Sequence, residues 1–593
     1  MNVSDYIVKS LANQGVRDLF LLPGGGCMYL VDAIARSSEV RPMPMLHEQS
    51  VGIAAEAYAQ FKNSLGVALV TTGPGATNAI TPCAAAWTDS TPVIYISGQV
   101  KTQDRRETYG VRQLGFQEVP IVEMVSSITK KAVQITKLES IPEILTDLIT
   151  TAISDRPGPV WLDIPLDIQS QVIEASPLGL IQPATSDLNL DTALLDEILN
   201  KWKSANRPLL MLGNGVRLSG AVDEARLLVS GSQTPTLLTW KALDILDSSD
   251  PLNAGRPGAI AQRWSNFAQQ TADFILVIGA RLDFGQTAYR PDNFAPNASK
   301  YIVDVDSNEL SKLESVSATL INADAGIFIR SITDRIQELA PTPAKQTWIE
   351  RICQWKEEYP LIQPKHLAPK SGVNLYHFIS ELSKLMSPDD LLVPGSSGAC
   401  SEISMQAFQN KVGQRVLNSE GLGPMGFGIA APIGACLASK GRRTVSIDGD
   451  GGFLMNIQEL ATLEFSKLPI KIVVLNNNGY GSIKTSQDRY FEGRRLGTDR
   501  SSLLGIPQLE GLVRGFNLPY FKIESHSVMI DKLNECLNLD GPGIIELIVD
   551  PDQSTEPRVY TEISTDGQFK TSNMERLSPV LGEEELLKAL KVD

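Results

Sequence analysis

Residues 444–452 read TVSIDGDGG, and residues 470–481 read IKIVVLNNNGYG. The apolar start of each stretch predicts a parallel β-strand, and residues 456–465 between them have the pattern of a helix. A β-α-β unit of this kind brings Asp450 and Asn477 side by side at the carboxyl ends of the strands, where open α/β sheets bind ligands. A carboxylate and an amide oxygen suit Mg²⁺. The glycines let the backbone approach phosphate, so the two stretches predict a site for Mg²⁺ and a diphosphate.

The order of these motifs makes the signal specific. A GDG triplet alone is weak, but GDG followed about 27 residues later by paired asparagines is much stronger. The pattern resembles the thiamine-diphosphate (ThDP) signature of the pyruvate decarboxylase and acetolactate synthase superfamily. The resemblance implies that Asp450, Asn477 and Gly479 bind Mg²⁺. The residues that it implies for the cofactor diphosphate are Gly449, Asp450, Gly451, Gly452, Asn477, Gly479, Tyr480 and Gly481.

A second region of the chain agrees with this resemblance. Residues 46–59, LHEQSVGIAAEAYA, are similar to the family motif whose glutamate touches the aminopyrimidine ring of ThDP. The family reaction needs an acid there, because a carboxyl group beside the ring stabilises the imino tautomer that removes the C2 proton. Glu48 is the residue at this position, in an apolar setting where a carboxyl can stay protonated. We expect Glu56, on the same helix, to lie on a solvated or interface face.

Further segments extend the resemblance from about residue 5 to residue 549. They include FLLPGGG at residues 20–26, VTTGPGATN at residues 70–78 and GLGPMGFG at residues 421–428, whose methionine supports the bent shape of the cofactor. The resemblance assigns further cofactor contacts to Pro23, Thr72, Asn78, Gly423 and Met425. It assigns catalytic or channel roles to Glu48, Gly25, Gln117 and Lys130.

Two segments depart from the acetolactate synthase pattern. Where those enzymes carry a Gly-Gln-His series, this chain has Ser396 and Ser397, whose hydroxyls are still able to bind phosphate oxygens. Where those enzymes carry a Trp-Gln segment that shapes the acceptor pocket, residues 483–495 have no Trp. The basic side chains of that stretch are Lys484, Arg489, Arg494 and Arg495. Two interpretations stay open: an ordinary solvated loop, or a pocket for a larger or anionic acceptor.

Composition sets the class of protein. The chain has 593 residues, which is too long for one core and indicates three domains. Its formal charge of −15 disfavours nucleic acids and anionic membranes as partners. The six cysteines show no CxxC pairing and are typical of reduced thiols. No apolar run is long enough to cross a bilayer, and no secretory pattern is present near the start. We therefore expect a cytoplasmic protein.

The expected fold class is α/β, with three doubly wound parallel-sheet domains. These are an N-terminal pyrimidine-binding domain at 1–175, a central domain at 191–340 and a diphosphate-binding domain at 371–552. Residues 341–369 are expected to be a linker with a short helix. The tail at 553–593 ends in a helical pattern over residues 583–590. The sequence does not decide whether this tail covers the active-site mouth or packs on a neighbour.

The resemblance also bears on a second cofactor, FAD, and on the oligomeric state. Acetolactate synthases bind FAD in the central domain, and residues 257–260 (PGAI) and 279–283 (GARLD) are similar to their flavin segments. Relatives without flavin carry the same segments, so FAD occupancy stays open. In the family, the Glu48 helix and the diphosphate site that meet at one ThDP come from different subunits. The resemblance therefore implies a homodimer or homotetramer with shared active sites.

The function that these features predict is ThDP- and Mg²⁺-dependent decarboxylation of a 2-oxo acid, with pyruvate as the donor. The resulting acyl anion equivalent is transferred to a second carbonyl, as in acetolactate synthases. Two alternatives remain. One is a carboligase that adds a two-carbon unit to a nucleotide-linked keto-sugar for surface polysaccharide synthesis. The other is ThDP-dependent cleavage of a C–C bond in a diketone.

Overall fold

The structure is a computed structural model that describes residues 1–184, 190–339, 342–395, 398–550, 553–563 and 567–592. These residues form two compact units. The first unit comprises Met1–Ala184, Asp389–Ser401 and Leu417–Ile548, and the second comprises the other described residues. No helix among the described residues is long and apolar enough to span a bilayer.

The N-terminal sheet has six parallel strands in the order β2-β1-β3-β4-β6-β5. Its strands are β1 Asp18–Leu21, β2 Arg41–Pro44, β3 Gly66–Val70, β4 Val93–Gln99, β5 Lys131–Gln134 and β6 Val160–Pro165. Its helices are α1 Val3–Asn13, α2 Met28–Arg36, α3 Glu48–Lys62, α4 Pro74–Asn78, α5 Ile80–Thr88, α6 Ile121–Val125, α7 Ile141–Ile153 and α8 Leu166–Gln169. Strands β3, β4 and β6 are buried along their whole length, as expected for a parallel sheet that helices cover on both faces.

The central sheet has six parallel strands in the order β12-β11-β10-β7-β8-β9. Its strands are β7 Pro208–Leu212, β8 Thr236–Leu238, β9 Asn253–Gly255, β10 Phe274–Ile278, β11 Ser299–Asp304 and β12 Thr319–Asn322. Its helices are α9 Thr192–Ser204, α10 Asn214–Leu218, α11 Val222–Ser232, α12 Arg263–Thr271, α13 Ser307–Ser311, α14 Ala325–Thr333, α15 Pro343–Glu358 and α16 Pro364–Leu367. The sequence predicted a linker with a short helix over residues 341–369, where α15 lies. The structure has a long helix there instead, because Trp348 and Trp355 are buried in the core of the central sheet.

The third sheet has the strand order β14-β13-β15-β16-β18-β17, and its described ladders are parallel. Its strands are β13 Leu391–Pro394, β14 Arg415–Val416, β15 Thr444–Gly449, β16 Ile470–Asn476, β17 Tyr520–Ile523 and β18 Gly543–Ile548. The helices of this part of the chain are α17 Leu375–Leu385, α18 Ala399–Ala407, α19 Phe427–Ala438, α20 Asp450–Met455, α21 Glu459–Ser466, α22 Gly481–Tyr490, α23 Leu509–Gly515 and α24 His526–Leu537. The fold-class prediction of three doubly wound parallel-sheet domains is confirmed.

One predicted helix begins later than expected and follows another helix. The sequence predicted a helix over residues 456–465, whereas the structure has α21 from Glu459 to Ser466, preceded by α20, with a break that begins at Asn456. The buried Asn456 side chain donates from Nδ2 to the carbonyl of Gly426 at 3.2 Å. The break therefore follows from a tertiary contact that a local pattern does not contain.

Helices α3 and α19 pack closely in the first unit. A Cβ on Gly434 of α19 would lie 1.9 Å from the carbonyl oxygen of Ala54 on α3, so a residue with a side chain does not fit there. Glu56 on α3 is fully buried. The expectation of a solvated or interface position for Glu56 is therefore wrong, because α19 and the N-terminal sheet cover this helix.

The tail packs on the central sheet's helices and loops. Its elements are β19 Arg558–Val559, β20 Thr561–Ile563, β21 Phe569–Thr571, β22 Leu577–Ser578 and α25 Glu583–Leu590. Strand β19 pairs with β22 and β20 pairs with β21, both antiparallel. The side chain of Asn266 on α12 donates to the carbonyl of Met574 at 2.8 Å, and Ile260 forms a bridge with Arg558. The predicted terminal helix is confirmed as α25.

Candidate active site

Asp450 lies at the point where β15 ends and α20 begins. Its side chain is 1% exposed and accepts hydrogen bonds from the amides of Gly451 at 2.7 Å and Gly479 at 2.9 Å. Gly479 has a φ of +148°, and a Cβ there would lie 1.9 Å from the carbonyl oxygen of Thr498. Glycine is therefore required where the second loop turns its amide toward Asp450.

Asn477 follows β16, the strand that pairs directly with β15. Its Oδ1 is buried and has no hydrogen-bond partner among the described residues. Burial raises the pKa of the Asp450 carboxyl to about 6, and hydrogen bonds from the surrounding backbone amides oppose the rise. A buried amide oxygen without a donor next to a buried carboxylate is a pair that a hard cation would complete.

Asp448 is a buried acid that sequence reasoning missed. It accepts from the amides of Gly449 at 2.8 Å and Gly428 at 3.2 Å, and a Cβ on Gly452 would lie 2.3 Å from its carboxylate. Burial raises the pKa of Asp448 to about 7, and the charge of Asp450 adds to the rise. The signal available in the sequence was an acid at the end of an otherwise apolar strand.

The glycines of the GDGG motif have different roles. A Cβ on Gly451 would clash with the ring of Tyr480 at 2.2 Å, and Gly452 packs on Asp448. Gly449 has no neighbouring atom within 4 Å of the position that its Cβ would take. Packing therefore explains Gly451 and Gly452, while Gly449 leaves open space beside Asp450. Gly481 packs on the amide group of Asn477, where a Cβ would lie 2.4 Å from Nδ2.

The predicted methionine loop contacts Asn456, which lies between α20 and α21, and Gln49 on α3. Gly426 has a φ of +90° and accepts a hydrogen bond from Asn456, and Gly423 has a φ of +63°. The Gln49 side chain on α3 donates to the carbonyl of Met425 at 3.4 Å. One chain therefore brings the start of α3 against the loop that carries Met425.

Glu48 is the first residue of α3 and is buried, with 8% of its surface exposed. The Asn78 side chain donates from Nδ2 to Glu48 Oε2 at 3.0 Å. A Cβ on Gly75, in the same short helix as Asn78, would lie 3.4 Å from Glu48 Oε1. The predicted residues Glu48 and Asn78 are thus brought together by the ends of two neighbouring helices.

The PGG turn and Thr72 lie at the carboxyl edge of the N-terminal sheet. The Gly26 amide donates to Thr71 Oγ1 at 3.1 Å, and a Cβ on Gly98 would lie 2.1 Å from the carbonyl oxygen of Gly26. Pro23 and Gly25 are exposed, and nothing lies within 4 Å of a Cβ on Gly25. Thr72 is buried, and its hydroxyl has no partner among the described residues.

The two remaining predicted catalytic residues have different positions. Gln117 has a φ of +64°, and its carbonyl oxygen would be 2.3 Å from a Cβ on Gly73, so its loop packs against the start of α4. Lys130 precedes β5, at the amino edge of the same sheet, and its Nζ donates to the carbonyl of Ser154 at 2.8 Å. The structure brings Gln117 close to the Thr72 loop and does not bring Lys130 there.

A polar network that sequence reasoning missed ties the Gln117 loop to the sheet. Asp163 on β6 is fully buried and accepts from Ser97 Oγ at 2.6 Å and from the side chains of Gln99 and Gln134 at 3.0 and 2.6 Å. The Gln99 amide group also donates to the carbonyl of Val119 at 3.3 Å. Burial raises the pKa of Asp163 to about 6, against the lowering effect of its three donors.

The predicted phosphate contacts Ser396 and Ser397 lie outside the described residues. The glycines on either side are described. A Cβ on Gly395 would lie 2.5 Å from the Asp448 carboxylate, and one on Gly398 would lie 2.6 Å from Ser482 Oγ. Gly395 and Gly398 therefore both lie close to residues of the elements that carry the Asp450 site.

Two of the four cations in the basic stretch after the Asn loop are paired with carboxylates. Arg495 makes a two-point ion pair with Asp488 at 2.7 and 2.8 Å, and Arg494 pairs with Glu492 at 2.7 Å. The guanidinium of Arg489 lies 5.4 Å from the centre of the Tyr490 ring. These pairs favour the interpretation of a solvated loop over that of a strongly anion-binding pocket.

Comparison with known proteins assigns the family. Three family models match the chain, each described as thiamine pyrophosphate enzyme: the N-terminal TPP binding domain over residues 1–124, the central domain over 195–332 and the C-terminal TPP binding domain over 396–547. Acetolactate synthase 2, chloroplastic, of Zea mays is 32% identical over 96% of this chain and 89% of its own length. Acetolactate synthase isozyme 1 large subunit of Escherichia coli (strain K12) is 31% identical over 94% and 95%. The chain belongs to the thiamine pyrophosphate enzymes.

The residues of this thiamine pyrophosphate enzyme fit a diphosphate cofactor with Mg²⁺. Two buried oxygen atoms, Asn477 Oδ1 and Thr72 Oγ1, have no partner within the described ranges. Open space remains at Gly449 and at Gly25. No group of three or more His, Cys, Asp or Glu side chains in the described part of the chain is placed to hold a metal. Asp450 and the Asn477 amide, together with backbone and phosphate oxygens, form the donor set that suits Mg²⁺.

FAD remains a prediction for this thiamine pyrophosphate enzyme. In the first expected flavin segment, the Ala259 amide donates to the carbonyl of Gly285 and the Ala259 carbonyl accepts from the amide of Val559, both at 2.7 Å. In the second, Arg281 pairs with Asp283 at 3.4 Å. Strand β19 of the tail therefore occupies the carbonyl of Ala259 in this loop, so a flavin would have to bind through other groups of the segment.

Proposed function

We propose that this enzyme decarboxylates a 2-oxo acid, with pyruvate as the donor, and transfers the two-carbon acyl unit to a second carbonyl compound. The observation that carries the proposal is the loop after β16: its Gly479 amide donates to Asp450 at 2.9 Å, and its Asn477 Oδ1 is buried without a partner among the described residues. The relatives named above are acetolactate synthases, which supports a carboligase.

The residues that would bind the metal and the diphosphate lie at strand ends of the third sheet. Asp450, the Asn477 amide oxygen and the carbonyl of Gly479 would hold Mg²⁺. The backbone at Gly449 and the hydroxyls of Ser396 and Ser397 would face the diphosphate. The buried carboxylate of Asp450 has only backbone amides as described hydrogen-bond donors, so a cation would supply the missing charge partner.

Glu48 is the proposed acid of the site. Asn78 holds its carboxyl group through Oε2, so Oε1 would be the atom that holds and releases the proton when the cofactor is bound. Met425 would support the cofactor from the facing loop. When bound, ThDP supplies an electron sink for the electron pair that remains as CO₂ leaves. Gly25, Gln117 and Thr72 would line the space above the reacting carbon and restrict water there.

For the acceptor we propose a small carbonyl compound, with a second pyruvate as the first choice. The ion pairs Arg494–Glu492 and Arg495–Asp488 occupy two of the four cations of this stretch, which disfavours a nucleotide-linked keto-sugar as the acceptor. The domains at 1–175, 191–340 and 371–552 would serve as the pyrimidine-binding, central and diphosphate-binding parts. We further propose a cytoplasmic homodimer or homotetramer with active sites shared between subunits.

The test is turnover by the purified protein with ThDP, Mg²⁺ and ¹³C-labelled pyruvate. CO₂ release is measured directly, and the organic products are identified by mass spectrometry. We expect CO₂ and acetolactate. CO₂ release that needs an added keto-sugar would replace the proposed acceptor. Absence of CO₂ from pyruvate by protein that binds ThDP would refute pyruvate as the donor.

The Asp450→Ala variant serves as the control for this assay. It lacks the proposed metal ligand, so any product that persists in the same preparation comes from a contaminating enzyme.

A further inference from the structure

The second unit, called the central unit below because it contains the central sheet, has a cavity of about 320 Å³. It lies beside the carboxyl ends of β8 and β9 and the end of α15. The residues that line it are Leu238, Leu243, Ser248, Asn253, Gly255, Arg256, Gln262, Trp264, Lys356, Pro360, Leu361, Ile362, Ala407 and Gln409. The lining includes two cationic side chains and no acidic one, in a chain with a formal charge of −15.

Arg256 is the more deeply placed of the two cations that line the cavity, with 6% of its surface exposed. Its two Nη atoms donate to the backbone carbonyls of Phe408 at 2.9 Å and Gln406 at 3.1 Å. Its Nε has no partner within the described ranges, and no described carboxylate pairs with it. Burial alone lowers the pKa of Arg256 to about 10, since no neighbouring charge opposes the shift. A buried cation without a counter-charge is costly and is normally compensated.

Trp264 provides an independent sign of a missing ligand. Its indole Nε1 is buried and also lacks a partner in the described part of the chain. A Cβ on Gly255, which has a φ of +95°, would lie 2.6 Å from that nitrogen. Glycine is therefore required where the backbone next to Arg256 passes close to this indole donor.

Lys356 adds a second positive charge. Its Nζ donates to the carbonyl of Asn253 at 2.7 Å, and burial lowers its pKa. An ammonium group has three donors, so two remain for a ligand. Arg256, Trp264 and Lys356 offer only donors, and a ligand that matches all three must present several acceptor oxygens and a negative charge.

We infer that this cavity binds a small oxyanion, a phosphate or carboxylate group, through Arg256 Nε, Trp264 Nε1 and Lys356 Nζ. The anion supplies the charge that Arg256 lacks and accepts from both donors that have no partner. A water molecule would satisfy the donors but would leave the charge uncompensated. The site belongs to the central unit and goes beyond the ThDP chemistry proposed above.

The experiment uses protein loaded with ThDP and Mg²⁺, so that the diphosphate site is filled. Inorganic phosphate and acetate are titrated separately by calorimetry at constant ionic strength, which separates phosphate from carboxylate binding. The test variants are Trp264→Phe, which removes only the N–H donor, and Lys356→Gln. The matched control is Lys300→Gln. Lys300 also donates to one backbone carbonyl and also has a pKa lowered by burial, but it lies outside the cavity lining.

We expect saturable binding of at least one anion to the wild type. Each test variant should weaken it by about tenfold, because each removes one hydrogen bond to a charged group, and Lys300→Gln should not change it. In crystals of the loaded protein soaked in selenate, an anomalous peak is expected within hydrogen-bond distance of Arg256 Nε.

Three outcomes would overturn the inference. The first is absence of saturable binding by either anion. The second is equal affinity in wild type, Trp264→Phe and Lys356→Gln. The third is phosphate binding that appears only after a co-purified flavin is removed, which would assign the cavity to the flavin. None of these readouts depends on turnover, so failure here is separate from failure of the proposed reaction.

Discussion

Asn78 Nδ2 lies 3.0 Å from Glu48 Oε2, and this hydrogen bond joins the end of α4 to the start of α3. It orients the carboxyl group that the proposed chemistry needs. Because α3 is also packed against α19, the acid is held by two independent sets of contacts. The position of Glu48 is therefore a property of the fold rather than of a bound cofactor.

Glu48→Gln keeps the shape of the side chain and removes its acid. We expect turnover to fall by about 10²–10⁴-fold, the usual contribution of a positioned proton donor or acceptor. The melting temperature should change little. Glu56→Gln is the matched control, since Glu56 is buried on the same helix. Turnover of Glu48→Gln that equals that of the control would remove Glu48 from the mechanism.

Asp450→Ala and Asn477→Ala remove the two side-chain oxygens of the proposed metal site. We expect each to weaken Mg²⁺-dependent ThDP binding by more than about 100-fold, the upper range for groups that only support a metal site. The measurement is ThDP titration by calorimetry with Mg²⁺ and with chelator. Asp488→Ala, an exposed acid of the same sheet's helix α22, should bind ThDP normally. Unchanged affinity in Asp450→Ala would place the metal elsewhere.

Mixing two inactive variants tests whether active sites are shared between subunits. When Glu48→Gln and Asp450→Ala chains are unfolded together and refolded, a shared-site dimer regains roughly a quarter of wild-type activity. This happens because half of the dimers are mixed and each mixed dimer has one intact site. The alternative is an active site built from a single chain, and the Gln49–Met425 contact within one chain is the observation that suggests it. If both site halves come from one chain, the mixture stays inactive.

Asp163 predicts a pH dependence of stability. Its pKa is raised to about 6 in the folded protein, above the ordinary value of 3.8. The folded state therefore binds a proton more tightly than the unfolded state. Its contribution to stability is full below about pH 4 and is lost as the pH rises through 6.

We expect the free energy of unfolding of Asp163→Asn to depend less on pH between 4 and 7 than that of the wild type. Denaturant unfolding across this range is the measurement. The exposed Asp223→Asn variant is the control and should follow the wild type. Parallel curves for wild type and Asp163→Asn would contradict the prediction.

The contact between α3 and α19 predicts an intolerance to added volume. Gly434→Ala places a Cβ against the Ala54 carbonyl, so we expect a loss of about 1–3 kcal/mol in the free energy of unfolding. Gly511→Ala, in α23, meets no atom within 4 Å and should be neutral or stabilising. Equal stability of the two variants would mean that the helices separate without cost.

Local sequence signals predicted the parts of the site that lie at strand ends. Asp450 and Asn477 follow apolar strands, and parallel pairing brings such positions together whatever the rest of the chain does. The break at Asn456 and the burial of Glu56 depend on partners far away in sequence, so no local pattern contained them. Lys130 was assigned by resemblance to a short segment, whereas the structure has it at the opposite edge of the sheet. Arg256 stood in no motif, and only its buried contacts identify it.

The first and third sheets have the same strand order when each is counted from its own first strand, and α3 and α19 occupy the same place between the second and third strands. The two helices that pack against each other are therefore counterparts. Fusion of two genes for one self-associating domain would leave this arrangement. After such a duplication each copy would be free to diverge, and here the first sheet carries the buried Glu48 while the third carries Asp450 and Asn477. Two different roles within one polypeptide are what the divergence of two symmetric copies would produce.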